Sequence, residues 1–237
     1  MTTPLYVLTS DSYLKALRPF SHLLNKYWQP NPPVIIGGFS PPDFELPPNF
    51  YFHSIGPMDQ FPVKRWSDAL RRLLTAYPLD VFCIMLEDYW ITAPVDVEAI
   101  QVAYDYMIQF EYVIRFDLTR DRELSGHATD YGKAGKLDLV RSEAGSPYHM
   151  SLMTALWRRE HLMKVLIPGE TPWQVELDGS NRLSAMGDSV VVLGTKQHPI
   201  KHTAAFRHGD PKNLLLEEVN PEDVSELEAL GYLEGWK

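Results

Sequence analysis

The sequence predicts an α/β fold, a mostly parallel central sheet flanked by helices with a mixed second half. Three observations carry that expectation. Short apolar runs alternate with amphipathic helical stretches through the first half, the pattern of strand–helix–strand units. Val81-Phe82-Cys83-Ile84-Met85-Leu86 is an unbroken apolar run of the length and composition of a buried strand. Two carboxylates, Glu87 and Asp88, follow where that strand should end.

Taken in order, Leu5 to Leu8 reads as a first strand, closed by the polar turn Thr9-Ser10-Asp11-Ser12, a helix-capping signal. Tyr13 to Trp28 has helical spacing, and Pro19 predicts a kink or a split within it. Val34-Ile35-Ile36 is a second strand closed by Gly37-Gly38-Phe39, and Ser40 to Pro48 is a proline-rich loop. Phe50 to Ile55 is a third strand, Trp66 to Ala76 a helix, and Val81 to Leu86 the central strand. A helix from Val95 to Phe110 and a strand from Tyr112 to Leu118 follow. Thr119 to Ser146 is polar and irregular, with a short strand at Leu137 to Val140. Met150 to Trp157 reads as a strand or a helix start, Arg159 to Leu166 as a helix, and Pro168 to Gly179 as a loop or short helix. Ser189 to Leu193 and Ile200 to Ala205 are strands, and Pro221 to Leu230 has helical spacing.

The 237 residues suffice for one large domain, expected over residues 1–212, with residues 213–237 as an acidic tail or helix packed on or near it. Apolar content of 45% excludes a disordered chain. No apolar run is long enough to span a membrane. The opening residues lack the basic and apolar regions of a signal peptide. The single Cys83 rules out an internal disulfide, and a cytoplasmic location is expected. Net charge is −9, but seven acids and one base lie between Asn213 and Lys237, so the tail carries −6 and the remaining 212 residues only −3. A basic groove in the body stays open.

Ligands of open α/β sheets bind at the carboxyl ends of the strands. Adjacent carboxylates there repel unless a proton or cation lies between them. A hard divalent metal carrying a phosphorylated ligand suits Glu87 and Asp88, and Tyr89 and Trp90 suit the lining of a sugar or base pocket. An acidic turn that caps the next helix is the plain alternative. Gly38 allows close backbone approach to a ligand or simply a tight turn. Lys64, beside Arg65 and before Trp66, offers a cation to a phosphate. Arg115 and Asp117 alternate along one strand and share a face, either pairing with each other or lining an acceptor site with His149. Trp173 and Glu176 are three residues apart and share a face if helical. No zinc-type Cys/His spacing, glycine-rich phosphate loop or Gly-x-Ser-x-Gly elbow is present.

The order of elements, with Glu87-Asp88 closing a central strand, resembles the GT-A (Rossmann-like) fold of nucleotide-sugar glycosyltransferases. Met85-Leu86-Glu87-Asp88-Tyr89-Trp90 looks like a bacterial and phage group of glycosyltransferase-like proteins. So do Tyr148-His149-Met150-Ser151-Leu152 through Trp157, and Pro168 through Gly179. The resemblance implies a Mn²⁺ or Mg²⁺ ion at Glu87 and Asp88, with a late histidine, His202 or His208, completing its coordination. The family's usual Asp-any-Asp spacing is not kept. The resemblance also implies a nucleotide-sugar donor such as a UDP-sugar, its base and ribose against Thr9, Ser10 and Asp11. An inverting transfer needs a carboxylate base, for which Glu176 is the candidate and Glu170 and Asp178 the substitutes. The acceptor is open among a small molecule, a glycan and a hydroxymethylated pyrimidine in phage DNA, which makes DNA modification one expectation. A non-catalytic nucleotide- or sugar-binding protein of the same fold, or a nucleotidyltransferase, are the alternatives.

Overall fold

Along the first strand, Leu5 and Val7 enter one apolar layer while Tyr6 and Leu8 enter another. This period-two alternation, with both faces apolar, marks a strand covered on both sides. The computed structural model describes residues 3–124, 127–206 and 210–236. In it β1 (Leu5–Leu8), β2 (Val34–Gly38), β3 (Phe50–Ser54) and β4 (Val81–Ile84) pair in parallel in the order β3-β2-β1-β4. The sheet continues through β9 (Ala155–Arg158), β6 (Val113–Asp117), β10 (Val191–Thr195), β8 (Leu137–Ser142) and β7 (Ala128–Ala134). β9 runs antiparallel between β4 and β6, and its register places Ala155 between Ile84 and Asp117 in one row. β10 returns to the parallel direction beside β6, and β8 and β7 close the sheet as an antiparallel hairpin. The architecture is therefore α/β with a mostly parallel centre and a mixed second half.

On one side, α1 (Leu17–Tyr27), α3 (Val97–Gln109) and α7 (Pro221–Ala229) cover the layer that holds Leu5, Val7, Val34, Cys83 and Phe116. On the other, α2 (Trp66–Ala76), α5 (Arg159–Val165) and α6 (Pro172–Ala185) cover Tyr6, Phe82, Ile84 and Ile114. At about 25 cal/mol per Å² of apolar area, these two layers are the main source of stability. α3 starts where the sequence signals it, the Asp96 side chain accepting from the Ala99 N–H at 3.0 Å. The acidic tail packs on α1. Asp223 takes Lys26 Nζ and Tyr27 Oη, each at 2.7 Å, and Leu227 and Leu233 are buried.

Several elements differ from expectation. The segment before α1 is a 3-10 helix, Asp11–Ala16, and the α-helix begins at Leu17. Pro19 thus falls in the first turn of α1, where its missing N–H breaks no bond. β4 ends at Ile84, two residues early, because Met85 N–H still bonds Tyr6 O while Leu86 O turns back to Tyr89 N–H. Tyr89 and Trp90 are not loop residues. They lie in β5 (Tyr89–Ile91), which pairs antiparallel with β11 (His202–Ala204). The polar stretch from Thr119 holds α4 (Asp121–Leu124) and the β7–β8 hairpin. The segment from Pro172 is a 14-residue helix opened by a capping box between Thr171 and Gln174.

Candidate functional site

Because β1, β2, β4 and β6 run in parallel, the segments after them meet at one edge of the sheet. Antiparallel β9 starts from that same edge, so the Met150–Thr154 lead-in arrives there too. Glu87 is buried and accepts the Thr9 hydroxyl at 2.8 Å. Burial, and then the neighbouring Asp88 charge, push its carboxyl up to about 8. Burial raises Asp88 to about 6. Asp88 Oδ1 is buried with no hydrogen-bond partner among the described residues. The two ring nitrogens of His202 are equally unpartnered, and its ring lies against Tyr89 at 4.5 Å between centroids. Burial holds His202 near 4, so it is neutral.

Facing them is α6. Glu176 accepts the Leu152 N–H at 2.8 Å. Burial raises its carboxyl, against the pull of that N–H and of Arg115. Trp173, one turn earlier, is 59% exposed. Beneath, Arg115 and Asp117 are fully buried and pair with each other. Arg122 Nε contacts Asp117 Oδ2 at 2.5 Å, and Arg122 Nη2 contacts Asp121 Oδ2 at 2.5 Å. His149 is buried within this network, its Nδ1 2.8 Å from Ser142 Oγ, and Arg122 Nη1 donates to the same hydroxyl at 3.0 Å. His149 and the Arg115–Asp117 pair are therefore interior groups and not an exposed acceptor wall.

Other sequence candidates are placed as follows. Thr9 is committed to Glu87. Ser10 bonds Ser12 at 2.8 Å, and Asp11 accepts Ser40 N–H and hydroxyl at 3.0 and 2.8 Å, tying the loops after β1 and β2. A Cβ on Gly38 would meet the Phe52 ring at 2.7 Å, so this glycine accommodates a side chain of its own fold. Lys64 is exposed, and Trp66 packs on the second apolar layer. Trp90 is fully buried in the first layer, away from any ligand surface. Glu170 is held bidentately by Arg182 at 2.8 and 2.7 Å, a structural pair, and Asp178 is exposed. His208 lies outside the described residues.

Two residues escaped sequence reading. Tyr13 lies close enough to Asp88 and Glu87 for both to raise its hydroxyl, after burial. Asp121 acts electrostatically on Tyr89, Glu176 and His202. Its signal was the second acid four residues after Asp117, beside Arg122.

No group of three or more His, Cys, Asp or Glu side chains converges on a cation among the described residues. An all-protein metal cage is therefore not built. The donor set still fits Mg²⁺ or Mn²⁺ in a different way. Such ions are commonly held by one or two carboxylates, with ligand phosphates and water supplying the rest. Asp88, whose Oδ1 is buried with no hydrogen-bond partner among the described residues, meets that requirement. Glu87, turned to Thr9 and favouring its protonated form, meets it less well.

No family model matches the chain, and no curated protein matches it in sequence. The bacterial and phage glycosyltransferase-like group thus rests on the quoted motifs alone. Among solved structures the chain is similar to a CMP:2-keto-3-deoxy-manno-octonic acid synthetase complexed with CTP (10% identity, TM-score 0.45, 99% of this chain and 100% of that one). It is similar also to an apo UDP-glucose pyrophosphorylase (6% identity, TM-score 0.46, 86% of this chain and 92% of that one). No helix among the described residues is long and apolar enough to cross a membrane.

Proposed function

We propose that this protein is a glycosyltransferase that moves a sugar from a nucleotide-diphosphate sugar to a hydroxyl acceptor with help from a divalent cation. The observation that carries the reading is Asp88, whose buried, unpartnered oxygen lies beyond a central parallel strand, with Tyr89 beside it under the charge of both Asp88 and Glu176. Asp88 and His202 would hold the cation, and the cation would offset the charge of the departing diphosphate. Glu176 is oriented by the Leu152 N–H and raised toward neutrality, which suits a base that takes the acceptor's hydroxyl proton. Glu87 keeps its proton and fixes the turn through Thr9. The Tyr89 and His202 rings pack against each other, tilted by 37°, on the β5–β11 side.

The acceptor stays open among a small molecule, a glycan and DNA. Arg115 and Arg122 are consumed by Asp117 and Asp121, so the unneutralised cations that a DNA acceptor calls for would come from exposed residues such as Arg120 and Lys201.

A thermal-shift panel of nucleoside diphosphates and nucleotide sugars, with Mn²⁺ and with chelator, tests the donor site. Cation-dependent stabilisation by one nucleotide class is expected, since a ligand that binds only the folded state raises its stability. Product analysis then separates transfer, which releases a nucleoside diphosphate, from nucleotidyl transfer, which releases pyrophosphate. No shift with any nucleotide would overturn the reading.

A further inference from the structure

The chain buries two arginines, Arg115 fully and Arg122 almost fully, beneath the candidate site. Desolvating guanidinium groups is costly unless acids meet them. Asp117 is the fully buried partner of both. Asp121 is the second partner. Its Oδ2 lies 2.5 Å from Arg122 Nη2 and 3.5 Å from Arg115 Nη2, and the Ser151 hydroxyl also bonds its carboxylate. Unlike Asp117, Asp121 reaches the surface of the site, its side chain 14% exposed. Burial acts to raise its carboxyl, but the pull of the two arginines outweighs that and keeps it ionised. A carboxylate offers about four acceptor directions. Arg122 and Ser151 take two, and Arg115 lies 3.5 Å from the oxygen that Arg122 uses, which leaves room for a donor from outside the protein.

The layout of the sheet says what that donor is. Asp88 follows β4 and Asp121 follows β6, with β9 between them. Both act electrostatically on Tyr89, the residue after Asp88, so the two carboxylates lie around one ring. With the diphosphate at Asp88, the step to Asp121 along the sheet edge is filled by the group next attached to it.

We propose that Asp121, braced by the buried Arg115 and Arg122, binds hydroxyl groups of the sugar carried by the donor and so selects the sugar. The inference rests on the glycosyltransferase reading. A carboxylate clamped by two arginines is poorly suited to proton abstraction but well suited to holding hydroxyls through charge-assisted hydrogen bonds. The arginines fix where that acceptor sits, so the site discriminates by hydroxyl geometry.

The test compares each nucleoside diphosphate with its own hexose conjugate by calorimetry in Mn²⁺, starting with UDP and UDP-glucose. In the wild type, one conjugate is expected to bind about tenfold or more tighter than its bare nucleotide. Asp121→Asn removes the charge, and Asp121→Glu keeps it but moves the carboxylate outward. Both are expected to erase the difference while the bare nucleotide binds as before. Circular dichroism identifies a variant that fails to fold, and Asp121→Glu, which keeps a partner for both arginines, carries the test if Asp121→Asn does not fold. A folded variant that keeps the full sugar increment overturns the inference, and so does one that loses bare-nucleotide affinity equally. Failure of the wild type to bind any nucleotide overturns the glycosyltransferase reading itself, and that result is visible before any variant is made.

Discussion

At Asp88 the folded chain holds a carboxylate whose Oδ1 is buried with no hydrogen-bond partner among the described residues. Stability and function should pull in opposite directions there. Asp88→Asn is expected to raise the melting temperature of the cation-free protein, by about 2–4 °C for each kcal/mol of relief. It should also cut turnover on the order of 100-fold or more, since it removes charge at a developing centre. Calorimetric scans with chelator and a turnover assay check the two halves. His149 supplies a second prediction. Burial, then Arg122, Arg115 and Arg141, hold it near 4 in the folded chain, against about 6.5 unfolded. Above pH 6.5 it is neutral in both states and contributes nothing. Between pH 6.5 and 4 the unfolded chain takes up a proton that the folded chain refuses, so stability falls as pH falls. The loss reaches about 3 kcal/mol by the bottom of that window. Urea titrations across the window should show that slope in the wild type and a flatter one in His149→Asn. Little of this was legible in the sequence. Glu87-Asp88 stands out as a pair, but which acid is tied to Thr9 and which is left bare is decided by a contact across 78 residues.

Among the elements, α6 matters most because it carries Glu176 and Trp173. Its first turn is fixed by Thr171, whose hydroxyl accepts the Gln174 N–H at 3.2 Å while Gln174 returns to the Thr171 N–H at 3.0 Å. Thr171→Ala is expected to cost about 1 kcal/mol. It should lower turnover more than it lowers donor affinity, because it loosens the turn just before Glu176. A melting curve and a kcat-against-KM comparison test this. Sequence reading left this segment as a loop or short helix, since Pro168, Gly169 and Pro172 read as breakers. Pro172 instead occupies the first helical position, where proline is favoured, and Gly179 packs against Met150. The strands of the parallel half were legible because each is a short apolar run between turn residues. β11 falls within the strand expected at Ile200 to Ala205, but β5 and β7 were not legible. The first is three residues long and the second is mostly polar, and pairing, not composition, makes them strands.

For the whole molecule, charge is divided by region. The acidic tail is anchored by Asp223, its side chain 1% exposed, against Lys26, Tyr27 and Asn220. Asp223→Ala is expected to destabilise the fold by about 1–3 kcal/mol, because it takes the acceptor from the Tyr27 hydroxyl and one acceptor each from Lys26 and Asn220, which keep Glu226 and Thr92 O. Denaturant unfolding would measure it, and an unchanged midpoint would mean that the tail does not brace α1. The other whole-molecule feature is the placement of β9. The strand that joins β4 to β6 arrives late in the chain. Until it emerges from the ribosome, β4 has an open edge. At about 5–20 residues per second, the roughly 70 residues from Ile84 to Ala155 take on the order of 4–14 s to synthesise. For that interval Val81 to Ile84 is an apolar template for foreign strands. Yield in cells should therefore depend on chaperone supply and on growth temperature, even where the finished protein is stable.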